Sequence, residues 1–218
     1  MKTGKNMQTP DFFYEQEAIT QGFALVAGTD EAGRGPLCGE VVAAAVILPS
    51  GLTIKGLNDS KKLSEKKREY LFEVIREKAV SFGIASASVE EIDRLNILNA
   101  AQLAMRRAVA QLNPFPDMVL VDGNIARDFP CPTKTLIGGD GCSCSIAAAS
   151  ILAKVTRDRM MVEYDKVMPE YGFASNKGYG SAAHIDALKK YGATPIHRRS
   201  FIHNFISVEK TPTSASAE

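Results

Sequence analysis

The 218-residue chain has no long hydrophobic run. Its longest uninterrupted apolar stretch is the eight residues Val41 to Leu48, far short of the roughly 20 that a membrane-spanning helix needs. The first twenty residues carry no apolar core of signal-peptide type, so a cytoplasmic protein with no membrane partner is expected. Cysteine is scarce: Cys38, Cys131, Cys142 and Cys144 form no CxxC pair, and no histidine stands at zinc-site spacing. That excludes a disulfide scaffold and argues against zinc. Charge of one sign is also missing, since Lys+Arg 26 against Asp+Glu 25 leaves a formal charge of +1, and any nucleic-acid footprint must be local. Gly 17 and Pro 10 are ordinary counts, and low complexity is confined to the end of the chain, TPTSASAE. Neither a collagen-like nor a disordered chain fits.

Several familiar motifs fail. Gly28-x4-Gly33 opens like a phosphate-binding loop, but Arg34 stands where Lys is needed and no Ser or Thr follows, which disfavours a nucleoside triphosphatase. Gly33-Arg34-Gly35 lacks the third glycine of a dinucleotide site, there is no Gly-x-Ser-x-Gly elbow, and the three histidines all lie late in the chain. The chemistry has to come from carboxylates.

Phe23 to Gly28 and Val41 to Leu48 are expected to be paired buried strands, and Val80 to Ser88 a third. Asp117 to Asp122 is a continuous apolar run ending in an acid, as a strand buried on both faces reads when its last residue emerges at the carboxyl edge of a sheet; Thr133 to Ile137 is a further strand. Helices are expected after an N-cap at Ser64, over Asn96 to Leu112, over Ser145 to Val167 and over Ala182 to Tyr191. Together they predict an α/β mixed sheet flanked by helices, with a C-terminal helical region. Residues 12–208 form a single domain in this scheme, and 1–11 and 209–218 are flexible tails.

Four acids fall at the ends of these elements. Asp30 and Glu31 follow the first strand and precede the glycine-rich turn Gly33-Arg34-Gly35; Asp122 ends a core strand; Asp140 sits in Gly138-Gly139-Asp140-Gly141 before the long helix. Adjacent strand residues face opposite sides, so Asp30 and Glu31 converge only if the strand ends or bulges there. Gathered together, four carboxylates repel one another unless cations intervene, and hard oxygen donors suit Mg²⁺ or Mn²⁺. Each acid taken alone fits a turn or a helix cap better than a metal ligand, and spacing does not decide between the two.

The surrounding blocks add a resemblance. Asp30-Glu31-Ala32-Gly33-Arg34-Gly35-Pro36, Asp59-Ser60-Lys61-Lys62-Leu63, Val121-Asp122-Gly123, Gly139-Asp140, the run Ala147 to Asp158, Gly178-Tyr179-Gly180 and His197-Arg198-Arg199-Ser200-Phe201 occur in that order. This series resembles bacterial ribonuclease HII. The resemblance implies a ribonuclease H-like fold and an enzyme that cuts the RNA strand of RNA–DNA hybrids and nicks 5′ to single ribonucleotides in duplex DNA. It implies that Asp30, Glu31, Asp122 and Asp140 hold two metal ions, with Asp30 between them. Gly33, Arg34 and Gly35 would read the ribonucleotide, Tyr179 would pack on the neighbouring deoxyribose, and Lys61 and Lys62 would approach phosphates.

Within the resemblance, the block His197, Arg198 and Arg199 helps build the C-terminal region, and a structural role and contact with phosphate both stay open for it. Asp158 has Lys154 one helical turn before it and arginines on either side, so it is read as an ion-paired structural acid and not as a metal ligand. Ribonuclease HIII, a non-catalytic hybrid binder and another nuclease of the same fold are the rivals. About twenty residues before the first strand leave little room for the extra N-terminal domain usual in the first. The presence of all four acids speaks against the second, and Gly-Arg-Gly against the third. A monomer is expected, and residues 211–218 lack the paired aromatics of a sliding-clamp peptide.

Overall fold

The computed structural model describes residues 9–206. The expected C-terminal tail and most of the N-terminal one lie outside that range. Of the latter, Asp11 is tied down: its N–H donates to the Cys142 carbonyl and its own carbonyl accepts from the Cys144 N–H.

The elements in order are α1 (Phe13–Thr20), β1 (Val26–Ala32), β2 (Val41–Ile47), α2 (Glu65–Lys78), β3 (Ser81–Ala87), α3 (Val89–Leu95), α4 (Ile97–Ala110), β4 (Met118–Asp122), β5 (Thr133–Leu136), α5 (Cys144–Val167), α6 (Phe173–Asn176), α7 (Ala182–Tyr191) and α8 (Arg199–Ile202). The five strands form one mixed sheet in the order β3-β2-β1-β4-β5. β2 is antiparallel to both of its neighbours, β1 and β3, whereas β4 and β5 run parallel to β1.

The apolar run of β2 follows from its central place. Ala43 and Ala45 pack into the core shared with α4, while Ala44 and Val46 face the core shared with α2 and α5. A strand covered on both faces has no use for alternation, and small residues let the covering helices approach closely. Gly28 of β1 carries this furthest: a Cβ there would collide with the Ser145–Ile146 backbone of α5. α5 is accordingly the central helix, buried at Ala147, Ala148, Ala149, Ile151, Leu152 and Ala153. The later helices close over Met161, Tyr171, Phe173, Leu188 and Ile202 as the expected C-terminal region.

Helix ends behave as their sequences suggest. The Ser64 side chain accepts from the Lys67 N–H, and Ser88 and Glu91 form a reciprocal capping box. Two features differ from expectation. β1 starts at Val26 and runs on to Ala32, so Asp30 and Glu31 lie inside the strand and not after it. Helix α1 had no apolar stripe to announce it, because the residues it buries are Glu15 and Ala18 while Phe13 is exposed. Glu15 Oε1 accepts from the Ser145 N–H at 2.8 Å and from Ser143 Oγ at 2.8 Å, satisfying the N-terminus of α5 from another element. None of the described helices is long and apolar enough to cross a membrane.

Candidate active site

The parallel neighbours β1 and β4 end unevenly. Thr29 is the last β1 residue paired with β4, opposite Val121, whereas β1 stays paired with β2 as far as Ala32. Asp30, Glu31 and Ala32 therefore overrun their neighbour and line one free strand edge. This answers the geometric objection to two adjacent acids sharing a site. Asp30 pairs with Ala44 on the α5 face and Glu31 with Ala43 on the α4 face, yet both reach a cleft that wraps round the bare end of the strand.

That cleft has a volume of about 620 Å³, and its walls include Asp30, Glu31, Arg34, Lys61, Asp122 and Tyr179. Asp30 is buried, with its Oδ1 accepting from the Glu31 N–H at 2.7 Å. Burial pushes its carboxyl well above the usual range, the charges of Glu31 and Asp122 push the same way, and a hydrogen bond from Ser150 opposes them. Burial also raises Glu31, against the pull of Arg34, whose Nη1 lies 3.2 Å from Glu31 Oε1. Asp122 Oδ1 accepts from the Gly139 N–H at 2.7 Å, fastening the end of β4 to the turn that carries Asp140. Asp140 is not part of the cleft wall, but burial and the nearby Asp59 and Asp122 charges raise it to about 6.

Lys61 is the cation closest in effect. Burial works to lower its ammonium, but Asp30, Asp140, Asp59 and Asp122 outweigh that and raise it. Lys62 points elsewhere, half exposed and 3.7 Å from Asp59 Oδ2. Gly33 and Gly35 border the cleft, and the half-exposed Tyr179 faces Gly35. Gly33 takes φ +99°, and a Cβ on it would collide with the Arg157 side chain, so two separate constraints require glycine. Asp158 is 2.6 Å from Lys154 Nζ and 3.7 Å from Arg68 Nη2. Its flanking arginines bond elsewhere, Arg159 to Glu69 and Arg157 to main-chain carbonyls.

Three residues here, Asp59, Ser150 and Arg157, were not singled out from the sequence, and a fourth, Arg198, was read only as part of the 197–199 block. The nearby charge of Asp59 raises Asp140, and Asp59 Oδ1 accepts from the Lys61 N–H at 2.9 Å. Ser150 lines the cleft with Asp30, and its Oγ sits 2.8 Å from Ser60 Oγ. Arg157 and Arg198 hold the loop after β1. All four lie inside the sequence blocks already quoted, but their neighbours in those blocks drew the attention.

The donor set is oxygen only, crowded and pushed toward protonation, and a hard divalent cation relieves that crowding. The strand order β3-β2-β1-β4-β5, with carboxylates at the carboxyl ends of the parallel pair β1 and β4, fits a ribonuclease H-like α/β nuclease. The ribonuclease H2 of Pyrococcus horikoshii OT3 superposes with a TM-score of 0.68 at 26% identity, over 83% of this chain and 96% of that one. Bst-RNase HIII in complex with Mn²⁺ shares the fold at a TM-score of 0.61 and 19% identity, over 76% of this chain and 61% of that one. The ribonuclease HII family model matches residues 27–204, and the ribonuclease HII of Ruminiclostridium cellulolyticum is 56% identical over 193 residues, 88% of this chain and 76% of that protein. The chain belongs to the ribonuclease HII family and is an endoribonuclease of ribonuclease H type.

Proposed function

We propose that this endoribonuclease cuts the RNA strand of RNA–DNA hybrids and nicks duplex DNA on the 5′ side of single embedded ribonucleotides, leaving 3′-hydroxyl and 5′-phosphate ends. The observation that carries the reading is the overrun of β1 past β4, which puts Asp30, Glu31 and Asp122 in one cleft with Lys61 and Tyr179. Asp30, Glu31, Asp122 and Asp140 would hold two Mg²⁺ or Mn²⁺ ions, whose charge would offset the repulsion that Glu31 and Asp122 exert on Asp30. When bound, such a pair supplies an activated water and neutralises charge on the leaving 3′ oxygen. No protein base is then required, in keeping with the lack of histidine in the cleft wall.

The residues of the chain supply orientation. Lys61 offers a cation to a phosphate next to the acids. The Gly33–Gly35 backbone approaches the sugar without intervening side chains, and the 2′-hydroxyl is the group that separates RNA from DNA. Tyr179 gives the neighbouring deoxyribose an apolar surface. The test is incubation with a duplex carrying one ribonucleotide, with and without divalent metal, followed by mapping of the nick. A metal-dependent cut on the 5′ side of the ribonucleotide is expected. Cleavage without metal, or at positions unrelated to the ribonucleotide, overturns the reading.

A further inference from the structure

Residues 33–40 connect β1 to β2 without forming helix or strand beyond an isolated bridge at Cys38. Their shape comes from two buried guanidinium groups. Arg198 donates to four carbonyls of this segment: Nη2 to Gly33 at 2.6 Å, Nη1 to Arg34 at 3.0 Å and Pro36 at 2.8 Å, and Nε to Gly39 at 2.9 Å. Arg157 donates to Cys38 at 3.0 Å and Glu40 at 3.2 Å, and reaches across to Lys177 at 3.0 Å, two residues before Tyr179.

A planar trans peptide points its C=O and the following N–H in opposite directions. With the Gly33 and Arg34 carbonyls turned inward onto Arg198, the N–H groups of Arg34 and Gly35 are turned away from it, on a segment that borders the cleft. Neither N–H meets an acceptor among the described residues. A buried guanidinium, planar and donating in a fixed fork, fixes several peptide planes at once, which an ammonium on a flexible stem does not.

We propose that Arg198 is a positioning residue: it aims the Arg34 and Gly35 amides at the substrate 2′-oxygen and so sets discrimination between ribose and deoxyribose. Arg157 ties the same segment to the Tyr179 loop. This rests on the function proposed above and adds the residue on which sugar selectivity depends.

The test compares Arg198→Lys with the unaltered chain on two duplexes, one with a single ribonucleotide and one with a 2′-fluoro nucleotide at the same place, which accepts hydrogen bonds poorly. The expected result is a fall of about tenfold in kcat on the ribonucleotide duplex, with cleavage of the fluoro duplex changed by less than about threefold. The metal requirement stays the same. Equal losses on both duplexes, or none on either, overturn the proposal. Should the lysine variant not fold, Arg157→Lys is measured for the same ratio, with the same outcomes deciding. If the unaltered chain itself shows no preference for the ribonucleotide over the fluoro nucleotide, it is the functional reading beneath the proposal that fails.

Discussion

His184 and His197 meet through their Nε2 atoms at 3.1 Å in the buried C-terminal region. Their tautomers follow from what the other nitrogens touch. The Thr194 N–H donates to His197 Nδ1 at 3.0 Å, so His197 carries its proton on Nε2 and donates it to His184 Nε2. His184 Nδ1–H in turn donates to the Tyr179 carbonyl at 2.9 Å. Cys38 lies close by, and the three potential ligand atoms fall within 4.8 Å of one another. The lone pair that a cation would need on His184 is nevertheless already bonded, and burial pushes the Cys38 thiol up to about 12. The cluster is a chain of hydrogen bonds ending on the backbone of Tyr179.

A pH dependence follows from this pair. Burial lowers His197 to about 4, with the neighbouring His184 acting in the same direction, and burial lowers His184 as well. The unfolded chain binds protons that the folded chain refuses, so this stability is present above the ordinary histidine value of about 6.5 and is lost as pH falls toward 4. For His197 the loss between about pH 7 and about pH 5 is about 2 kcal/mol. Denaturant titrations at the two pH values measure it, with His197→Gln as the control in which that portion of the slope disappears. A variant that keeps the full slope shows that the loss arises elsewhere.

Asp30 gives a prediction with two readouts. Its carboxyl is buried among like charges, so Asp30→Asn removes repulsion and is expected to raise the melting temperature of the chelator-treated protein. The same change removes the acid proposed as the central metal ligand and should lower cleavage by at least about a hundredfold, while hybrid binding persists. Mg²⁺ should raise the melting temperature of the unaltered chain, because binding only to the folded state stabilises it, and should raise that of the variant much less. Undiminished turnover in Asp30→Asn removes the acid from the site.

Tyr179 is half exposed at the cleft, on a segment with no helix or strand to pack from. Loss of its ring in Tyr179→Ala should cost little stability. Turnover of a duplex with one ribonucleotide should fall about tenfold more than turnover of a long RNA–DNA hybrid, in keeping with the contact energy of an aromatic face on a nucleic acid. Steady-state rates on the two substrates settle the point, and equal losses deny the ring a junction role.

How much of this was legible in the sequence varied with the physics involved. Apolar runs and caps marked the strands and most helices because burial and orphan backbone groups act locally, as at β2 and Ser64. The meeting of Asp30 with Glu31 was not legible, because it depends on β4 stopping short of β1, a relation between segments 92 residues apart. Asp59 was hidden for a similar reason: beside Lys61 and Lys62 it reads as the acid of a charged turn, and only tertiary packing brings it to Asp140. Arg198, between His197 and Arg199, reads as one of a basic run, yet it is buried without a carboxylate and bonded to carbonyls. Sequence shows charge, and burial decides what charge does.

Asp158 differs in its partners from the acids of the cleft. It lies in the same helix as Ser150, two turns further along, and is buried. Its two oxygens face Lys154 at 2.6 Å and Arg68 at 3.7 Å, and Arg68 also donates to the Ser60 and Leu63 carbonyls at 3.1 and 2.6 Å. The acid thus links α5 to the turn that presents Lys61, through partners of opposite charge, whereas Asp30, Glu31 and Asp122 crowd one another. Asp158→Asn leaves Lys154 and Arg68 without a counter-charge and is expected to lower stability by about 3 kcal/mol. The metal concentration giving half-maximal cleavage should not move, because no cleft carboxylate is lost. Denaturant unfolding and a metal titration on the same preparation read the two quantities. A shifted metal midpoint with unchanged stability would transfer Asp158 to the metal site and remove the reason for choosing Asp140 over it.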